Sequence, residues 1–510
     1  MPDIYRAILQ HMNPEMKEKS LPGAGDRQEL LENLRQGAAA LGRRPSLWAL
    51  AELAGARRVS AYVVGGTVRE LALGRPSADV DLAISRGTLE LAQALAAALG
   101  GTFVLLDREE RTARVVWGEE VLDLAEFRAP DLTGDLRGRD FTLNALALDL
   151  EAVLGRRPFK LMDPLDGLGD LAQGVLRVPA PENFADDPLR LLRGYRFAAT
   201  HGFRLHPDTS EAVRRYVTEF HRVAGERVHQ ELFILLKSPR AGAVLKEMDR
   251  VGLFDQVFPE LEDLRGVEQD GYHHLDVFDH SLAAVGHVEE VLAPPQKFFG
   301  KLAEEIERYV GEPGKAALLK LAALFHDAGK PRVQERRQDP DRYTFYHHER
   351  VGQEIFSQAA ARLRFSQAEA KTVSLLIKLH MRPFLLLPAF RQGELTFRAL
   401  GRLVRAARKE LPGMFALAMA DSLAGGGPLK PPDAEAVLGD LAEAAFRFLK
   451  ERVEPQEQFP RLINGDDLIR IFGLSPGPVF RQLLTAVEEA QWEGRVTDRR
   501  EALKLVEQLL

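Results

Sequence analysis

The sequence predicts an α+β protein, a small head of mixed strands and helices followed by a long all-helical body. Three observations predict it. Between residues 60 and 150, short β-branched or alternating runs recur, namely VSAYVVGG, ADVDLAI, GTFVLLD, TARVVWG and EVLDLAEFR, and such runs read as half-buried strands. Among them TLELAQALAAALG reads as a helix that ends at Gly100 and Gly101, glycine being a common helix stop. From about Asp187 onward nearly everything is helically patterned, with Pro and Gly punctuation near 258–271, 293–300, 423–432 and 473–478. Residues 1–48 also read as helical, with a Pro/Gly break at Leu21–Gly25. A chain of 510 residues exceeds what one core supports, so several domains are expected.

Composition narrows the chemistry. The chain is 45% hydrophobic, 28% charged and free of cysteine. That excludes disulfides, zinc knuckles and thiol catalysis, fits a reducing cytoplasm, and leaves His, Asp and Glu as the residues available to a metal. No apolar run approaches the length that spans a bilayer, and the opening MPDIYRAILQHMNPEMKEKS lacks the apolar centre of a secretion signal. The expectation is a cytoplasmic protein without a membrane partner. A net charge of −7 does not announce a nucleic-acid binder. Yet Arg190, Arg193, Arg196, Arg204, Arg214, Arg215, Arg222 and Arg227 crowd one stretch, and a local basic face can bind RNA while the rest of the chain stays acidic.

The first chemical cluster is Tyr62-Val63-Val64-Gly65-Gly66-Thr67-Val68-Arg69-Glu70, followed by Ala78-Asp79-Val80-Asp81-Leu82-Ala83-Ile84. A strand running into two glycines and then a helix brings backbone N–H groups and the positive helix end towards a phosphate chain. Asp79 and Asp81 are two apart on a predicted strand, so their carboxylates share a face. Paired carboxylates with apolar neighbours suit Mg²⁺ shared with substrate phosphates; a solvated acidic strand edge is the plainer alternative. Asp123, in the later run Val121-Leu122-Asp123-Leu124-Ala125, adds a third carboxylate, and three can hold two metals that serve the attacking and leaving oxygens. A structural role for Asp123 is equally open.

These residues carry a resemblance. Gly65, Gly66, Thr67 and Arg69 with Asp79 and Asp81 resemble the signature of polymerase β-type nucleotidyltransferases. The block Arg139-Asp140-Phe141-Thr142-Leu143-Asn144 resembles the next motif of the bacterial and eukaryotic (class II) tRNA nucleotidyltransferase and poly(A) polymerase family. Asp163-Pro164-Leu165-Asp166-Gly167, Asp186-Asp187-Pro188-Leu189-Arg190-Leu191-Leu192-Arg193 and Glu226-Arg227-Val228-His229-Gln230-Glu231-Leu232 follow in the family's order. Glu70 and Asp186 stand where Asp and Glu are usual, and Gly138 where a second Arg is common. The resemblance implies a polymerase β-like head, catalytic Asp79, Asp81 and Asp123, and a nucleotide site drawn from Gly65, Gly66, Thr67, Arg69, Arg139, Asp140, Asn144, Asp187, Arg190, Arg193 and Arg196. It also implies addition of nucleotides to a tRNA 3′ end without a template.

Base choice can then be argued. A carboxylate only accepts hydrogen bonds and a guanidinium only donates. Asp187 and Arg190, one helical turn apart, therefore match the amine-donor and ring-acceptor edge of cytosine or adenine and reject uracil and guanine; the plainer alternative is an i,i+3 salt bridge. Only ten residues, Ala129–Gly138, separate the strand ending at Phe127-Arg128 from Arg139. By resemblance, members that complete CCA carry a longer flexible loop there, and members with a short one add two cytidines and rely on a separate A-adding enzyme. CC addition from CTP is thus expected, with full CCA addition, A addition using ATP, and poly(A) synthesis as alternatives.

A second constellation comprises His280, His326-Asp327, His348, His380 and Asp421. It resembles the pattern of the HD superfamily, which implies an all-α metal-binding domain. Imidazoles with carboxylates suit Mn²⁺, Fe²⁺, Ni²⁺ or Zn²⁺ over Mg²⁺, and such a centre can turn water against a phosphate ester. His273, His274 and His347 read as structural. A competing reading from another class is an HD metal phosphohydrolase whose head serves only to bind RNA. The expected layout is a helical extension over 1–48, the head over 49–175, a helical neck over 176–268, the HD domain over 269–452 and a helical tail over 453–510. The tail resembles the segment that cradles the tRNA elbow, as the head resembles the part that takes the acceptor end.

Overall fold

The computed structural model describes residues 26–75, 79–338, 341–457 and 462–510, so the helical expectation for residues 1–25 lies outside the described residues. The chain forms two compact units. One extends to Arg240 and takes in Lys246–Val257; the other comprises Ala241–Leu245 and Phe258–Leu510.

The first unit is built on a seven-stranded sheet: β1 (Ala61–Val64), β2 (Asp79–Ile84), β3 (Thr102–Asp107), β4 (Thr112–Trp117), β5 (Glu120–Glu126), β6 (Ala147–Asp149) and β7 (Leu161–Met162), in the order β3-β4-β5-β2-β1-β6-β7. All neighbours are antiparallel except β2 and β5. In that parallel pair Asp81 lies directly opposite Asp123, and Leu82 opposite Leu124. Val80, Leu82, Leu122 and Leu124 are buried, the other face of the same alternation that aims the carboxylates outward. The helix Thr88–Leu99 follows β2 and buries Leu91, Ala92, Leu95 and Ala96, a helical stripe suited to cover a sheet. Ahead of β1 the helices Arg27–Leu41 and Pro45–Arg57 carry similar stripes. Beyond the sheet come the helices Leu189–His201, Pro207–Tyr216 and Gly225–Lys237.

The second unit gathers the helices Val277–Leu292, Lys315–Phe325, His348–Arg362, Gln367–Leu379 and Leu411–Ala424 around one core. Lys315–Phe325 is buried on every face. Its two lysines are tolerated because each meets a carboxylate: Lys315 Nζ lies 2.7 Å from Glu410 and Lys320 Nζ 2.8 Å from Glu289, as buried charges require. His326 and Asp327 stand just past the end of this helix rather than on it. The last helices, Gly465–Phe472, Pro478–Trp492 and Arg499–Leu509, share a small core of their own around Leu468, Leu483, Val487 and Val506.

One stretch bears on the expectation that no apolar run spans a bilayer. The run Gln367–Arg391 is helical, long and apolar enough to cross a membrane by length and composition alone. Lys371, Lys378 and Arg382 interrupt it in the sequence and hide it from an inspection for unbroken apolar runs. Val373, Leu376, Ile377 and Leu379 are buried in the unit and His380 is fully buried, while of Met381–Arg391 only Pro383 is buried.

Candidate active site and metal centre

In the head, β1 feeds straight into the helix Gly65–Ala72. Thr67 locks that helix start to β2: its N–H donates to Asp81 Oδ2 at 3.2 Å, and its hydroxyl accepts from the Asp81 N–H at 2.8 Å. Gly65 has φ +65°, and a Cβ there would lie 2.8 Å from Arg139 Nη1. The two glycines thus leave room for Arg139 and Asp81 to converge on the helix start. Burial raises the carboxyl pKa of Asp81, and the charge of Asp123 across the strands adds to the effect. A cation beside the pair would relieve both, so the residues present fit a divalent metal. Asp123 is also held by Arg114 in a two-pronged pair at 2.7 and 2.8 Å, the structural role that the sequence left open. We expect Gly65→Ala to lower stability by roughly 1–2 kcal/mol, the cost of a left-handed backbone for an L-residue, read as a lower midpoint in thermal unfolding.

Five of the residues expected to bind nucleotide, Arg69, Asp140, Asn144, Arg193 and Arg196, form one relay. Arg69 Nη1 donates to Asn144 at 2.6 Å, Asn144 Nδ2 to Asp140 at 2.9 Å, and Arg193 clasps the other Asp140 oxygen at 2.7 and 3.0 Å. Arg193 also reaches Glu231 at 3.3 Å, and Arg196 meets Glu231 at 2.8 Å while lying 3.7 Å over the Phe197 ring. Burial would raise the Asp140 carboxyl, but Arg193 and the Asn144 amide hold it well below the usual carboxylate range. Burial likewise opposes ionisation of Glu70, yet hydrogen bonds from His201 and Arg69 take it to about 2. Glu231, Glu70 and His201 were not among the expected site residues. Glu231 stands within a quoted motif, but nothing in its spacing ties it to Arg193.

Asp187 and Arg190 depart from the expected single helical turn. Asp187 has extended backbone at φ −142°, ahead of the helix Leu189–His201, because the residue before a proline is pushed out of helical geometry and Pro188 follows. There is accordingly no i,i+3 bridge between them. Arg227 grips Asp187 at 2.9 and 3.1 Å, and Arg190 donates to the Asn183 carbonyl at 3.1 Å. Arg190 is buried, which lowers its pKa, while Asp140 and Asp187 pull the other way.

The segment Ala129–Gly138 is folded. It contains the helix Leu132–Arg137, whose N-cap Asp131 accepts from the Gly134 N–H at 2.8 Å. Buried Asp135 accepts from the Arg128 N–H at 3.1 Å and from Arg139 Nη2 at 3.2 Å. Asn183 Nδ2 donates to the carbonyls of Arg137 and Arg139, both at 2.9 Å.

In the second unit the structure brings His280, His326, Asp327, His348, His380 and Asp421 together, all buried. The Nδ1 atoms of His326, His348 and His380 each lie 2.7 Å from the carbonyl three residues back. A carbonyl only accepts, so these nitrogens carry the protons. The Nε2 atoms then face inward, with His280 and His326 3.2 Å apart and His348 and His380 3.1 Å apart. Asp327 divides its oxygens, Oδ2 at 3.2 Å from His326 and Oδ1 at 3.3 Å from His348. Burial takes His280 to about 4 and, with the neighbouring His348 and His326, His380 to about 3. Against the same burial, Asp327 and Asp421 push His326 to about 10. Inward-facing ring nitrogens and two buried carboxylates converge there, and this donor set fits divalent metal. His273 joins this group beside His280 and Asp421, although the sequence read it as structural. A cavity of about 310 Å³ is lined by Gln269, Asp270, Arg336, Arg342 and Tyr343; Gln269 accepts from Lys330 at 2.6 Å, and Lys330 lies 2.6 Å from Asp327.

A mixed-sheet head carrying paired aspartates, and a separate helical unit carrying a histidine–aspartate cluster, define a nucleotidyl-transferring protein with an HD domain. Comparisons with known proteins agree. Family models match for the poly A polymerase head domain over residues 61–177, the probable RNA and SrmB-binding site of polymerase A over 202–264, and the HD domain over 297–424; His280 precedes the last stretch. The chain is 35% identical to an A-adding tRNA nucleotidyltransferase of Deinococcus radiodurans, across 88% of this chain and 95% of that one. It is 36% identical to a CC-adding tRNA nucleotidyltransferase of Thermus thermophilus, across 87% and 92%. Among solved structures, the Thermotoga maritima CCA-adding enzyme complexed with tRNA shares the fold at a TM-score of 0.58 and 20% identity, over 99% of this chain and 98% of that one. The chain belongs to the tRNA nucleotidyltransferase family, whose members among these relatives differ in whether they add CC, A or CCA.

Proposed function

We propose that this enzyme adds two cytidines to a tRNA that ends at its discriminator base and then stops, transferring CMP from CTP to the 3′ hydroxyl with release of pyrophosphate. The observation that carries this is the folded, doubly anchored Ala129–Gly138 segment, held by Asp135 at Arg128 and Arg139 and by Asn183 at Arg137 and Arg139. A pocket that must accept CTP and then ATP needs a part that moves, and this part is short and pinned. A separate A-adding enzyme would finish the end.

In this account Asp79 and Asp81, with Asp123, would hold Mg²⁺, which would supply activation of the attacking hydroxyl and stabilisation of the leaving pyrophosphate. Gly65, Gly66 and Thr67 bring the positive helix end to the triphosphate, the N–H groups of Gly65 and Thr67 being already held by the Leu146 carbonyl and Asp81. Arg139 faces the same point, its Nε without a hydrogen-bond partner among the described residues. The Arg69–Asn144–Asp140–Arg193–Glu231–Arg196 relay fixes the wall behind it. Asp187 and Arg190 read the base edge, and Arg227, by holding Asp187, sets the angle at which it does so. A site built to hydrogen-bond a donor–acceptor edge rejects the reversed edge by about 10⁴–10⁵-fold. The neck arginines and the tail would grip the tRNA acceptor end and elbow. The HD centre, through His280, His326, Asp327, His348, His380 and Asp421, would hold Mn²⁺, Fe²⁺, Ni²⁺ or Zn²⁺, and the adjoining cavity with Arg336 and Arg342 suits a phosphate ester.

A second reading, terminal A addition to tRNA-CC, is favoured by the 35% identity to the A-adding relative from Deinococcus radiodurans. Replacing Ala129–Gly138 by the long loop of a CCA-completing relative separates the two. Under the CC reading the graft gains ATP addition after two cytidines, because the Asp187/Arg190 pair already suits adenine. A native protein that takes ATP onto tRNA-CC before any graft overturns it.

A further inference from the structure

We propose that His273, outside the HD pattern, is an additional metal ligand of the HD centre on the side of His280 and Asp421. This rests on the reading that the centre holds divalent ions. One ring nitrogen of His273 lies within 4.8 Å of the ligand atoms of both His280 and Asp421. Its Nδ1 is 3.0 Å from Asp270 Oδ1. That carboxylate–histidine pair fixes the ring and leaves Nε2 as the nitrogen free to donate an electron pair, the arrangement that metal-bound histidines commonly adopt.

The surrounding backbone is built to deliver this side chain. Helix Leu411–Ala424 ends just after Asp421, and the glycines that follow run against the His273 loop. Gly427 N–H donates to the Tyr272 carbonyl and Leu429 N–H to the Gly271 carbonyl, both at 2.9 Å. A Cβ at Gly427 would lie 2.2 Å from the Gly271 oxygen, so only glycine permits this approach. Gln269, at the other end of the loop, is tied through Lys330 to Asp327. The loop is therefore fastened to the neighbourhood of two pattern residues, Asp421 and Asp327. By contrast the ring of His274 packs over Gly426, where a Cβ would lie 2.6 Å from its Nδ1, a packing role.

With His273 the donors divide unequally. One side has His273, His280, His326 and Asp421 with Asp327 Oδ2; the other has Asp327 Oδ1, His348 and His380. The first group would supply more protein ligands to an ion than the second, and a catalytic site needs open positions.

The test is titration of the metal-stripped full-length protein with Co²⁺, read by its visible absorption and by elemental analysis. The native chain is expected to take two ions of unequal affinity. In His273→Ala and in His273→Gln, which keeps a side chain of similar reach, the affinity of one ion should fall at least about tenfold and its absorption bands should shift. Asp270→Asn should weaken the same ion by about 10–100-fold, the usual effect of an outer partner. His274→Ala should alter neither. Native affinity and spectrum in both His273 variants would overturn the proposal while leaving the HD metal reading intact. A native protein that takes up no Co²⁺ would overturn both.

Discussion

Asp81→Ala is expected to reduce nucleotide addition by well over about 100-fold, since even the outer partners of a metal ligand cost about 10–100-fold. Asp81 lies opposite Asp123 in the parallel β2–β5 pair and is anchored to the helix start by Thr67, so its loss removes the carboxylate at the centre of the triad. Asp79→Ala should act the same way. Affinity for tRNA should stay nearly unchanged, because neither carboxylate would attract a polyanion. Gel-resolved extension of tRNA with CTP, beside a filter-binding titration, reads the two quantities separately. Addition at near native rate in both variants would contradict the assignment of the head.

His326→Ala combined with Asp327→Ala is expected to remove transition metal from the protein and any phosphodiester hydrolysis with it, leaving CTP addition within about twofold of native, since the head's carboxylates belong to the other compact unit. Both side chains are buried, and Asp327 is the residue that both donor groups share. Lys330 loses its 2.6 Å carboxylate partner in this variant, and stripping one side of a buried pair costs about 3–5 kcal/mol. Unfolding of the second unit should therefore be followed alongside. Unchanged metal content by elemental analysis would contradict the HD assignment.

The sequence carried the head well because its chemistry is local. Alternation exposed the strands, Gly65-Gly66 marked the turn, and spacing alone put Asp79 and Asp81 on one face. What it did not carry is long-range. Glu231 clasps Arg193 and Arg196 from more than thirty residues away, and no periodicity reports such a pairing. The Asp187–Arg190 geometry was drawn as one helical turn, yet Pro188 was visible and breaks it. The segment Ala129–Gly138 is tied to Asn183, forty-odd residues away in sequence. In the sequence His273 reads as a lone structural histidine, and the glycines after Asp421 show why it stands where it does. The HD cluster itself was legible because buried histidines and aspartates in apolar surroundings need a partner.

The product formed from an unextended tRNA tests the central claim most directly. Purified native protein would be given tRNA ending at the discriminator base, with CTP, with ATP and with both, and the products resolved to single nucleotides. Two cytidines from CTP alone, the same two-nucleotide product when ATP is also present, and no extension of tRNA-CC by ATP are the results expected of a pocket held in one shape by the Ala129–Gly138 segment. Efficient tRNA-CCA from the mixture, or extension by ATP of tRNA-CC with none by CTP of the shorter tRNA, would contradict it.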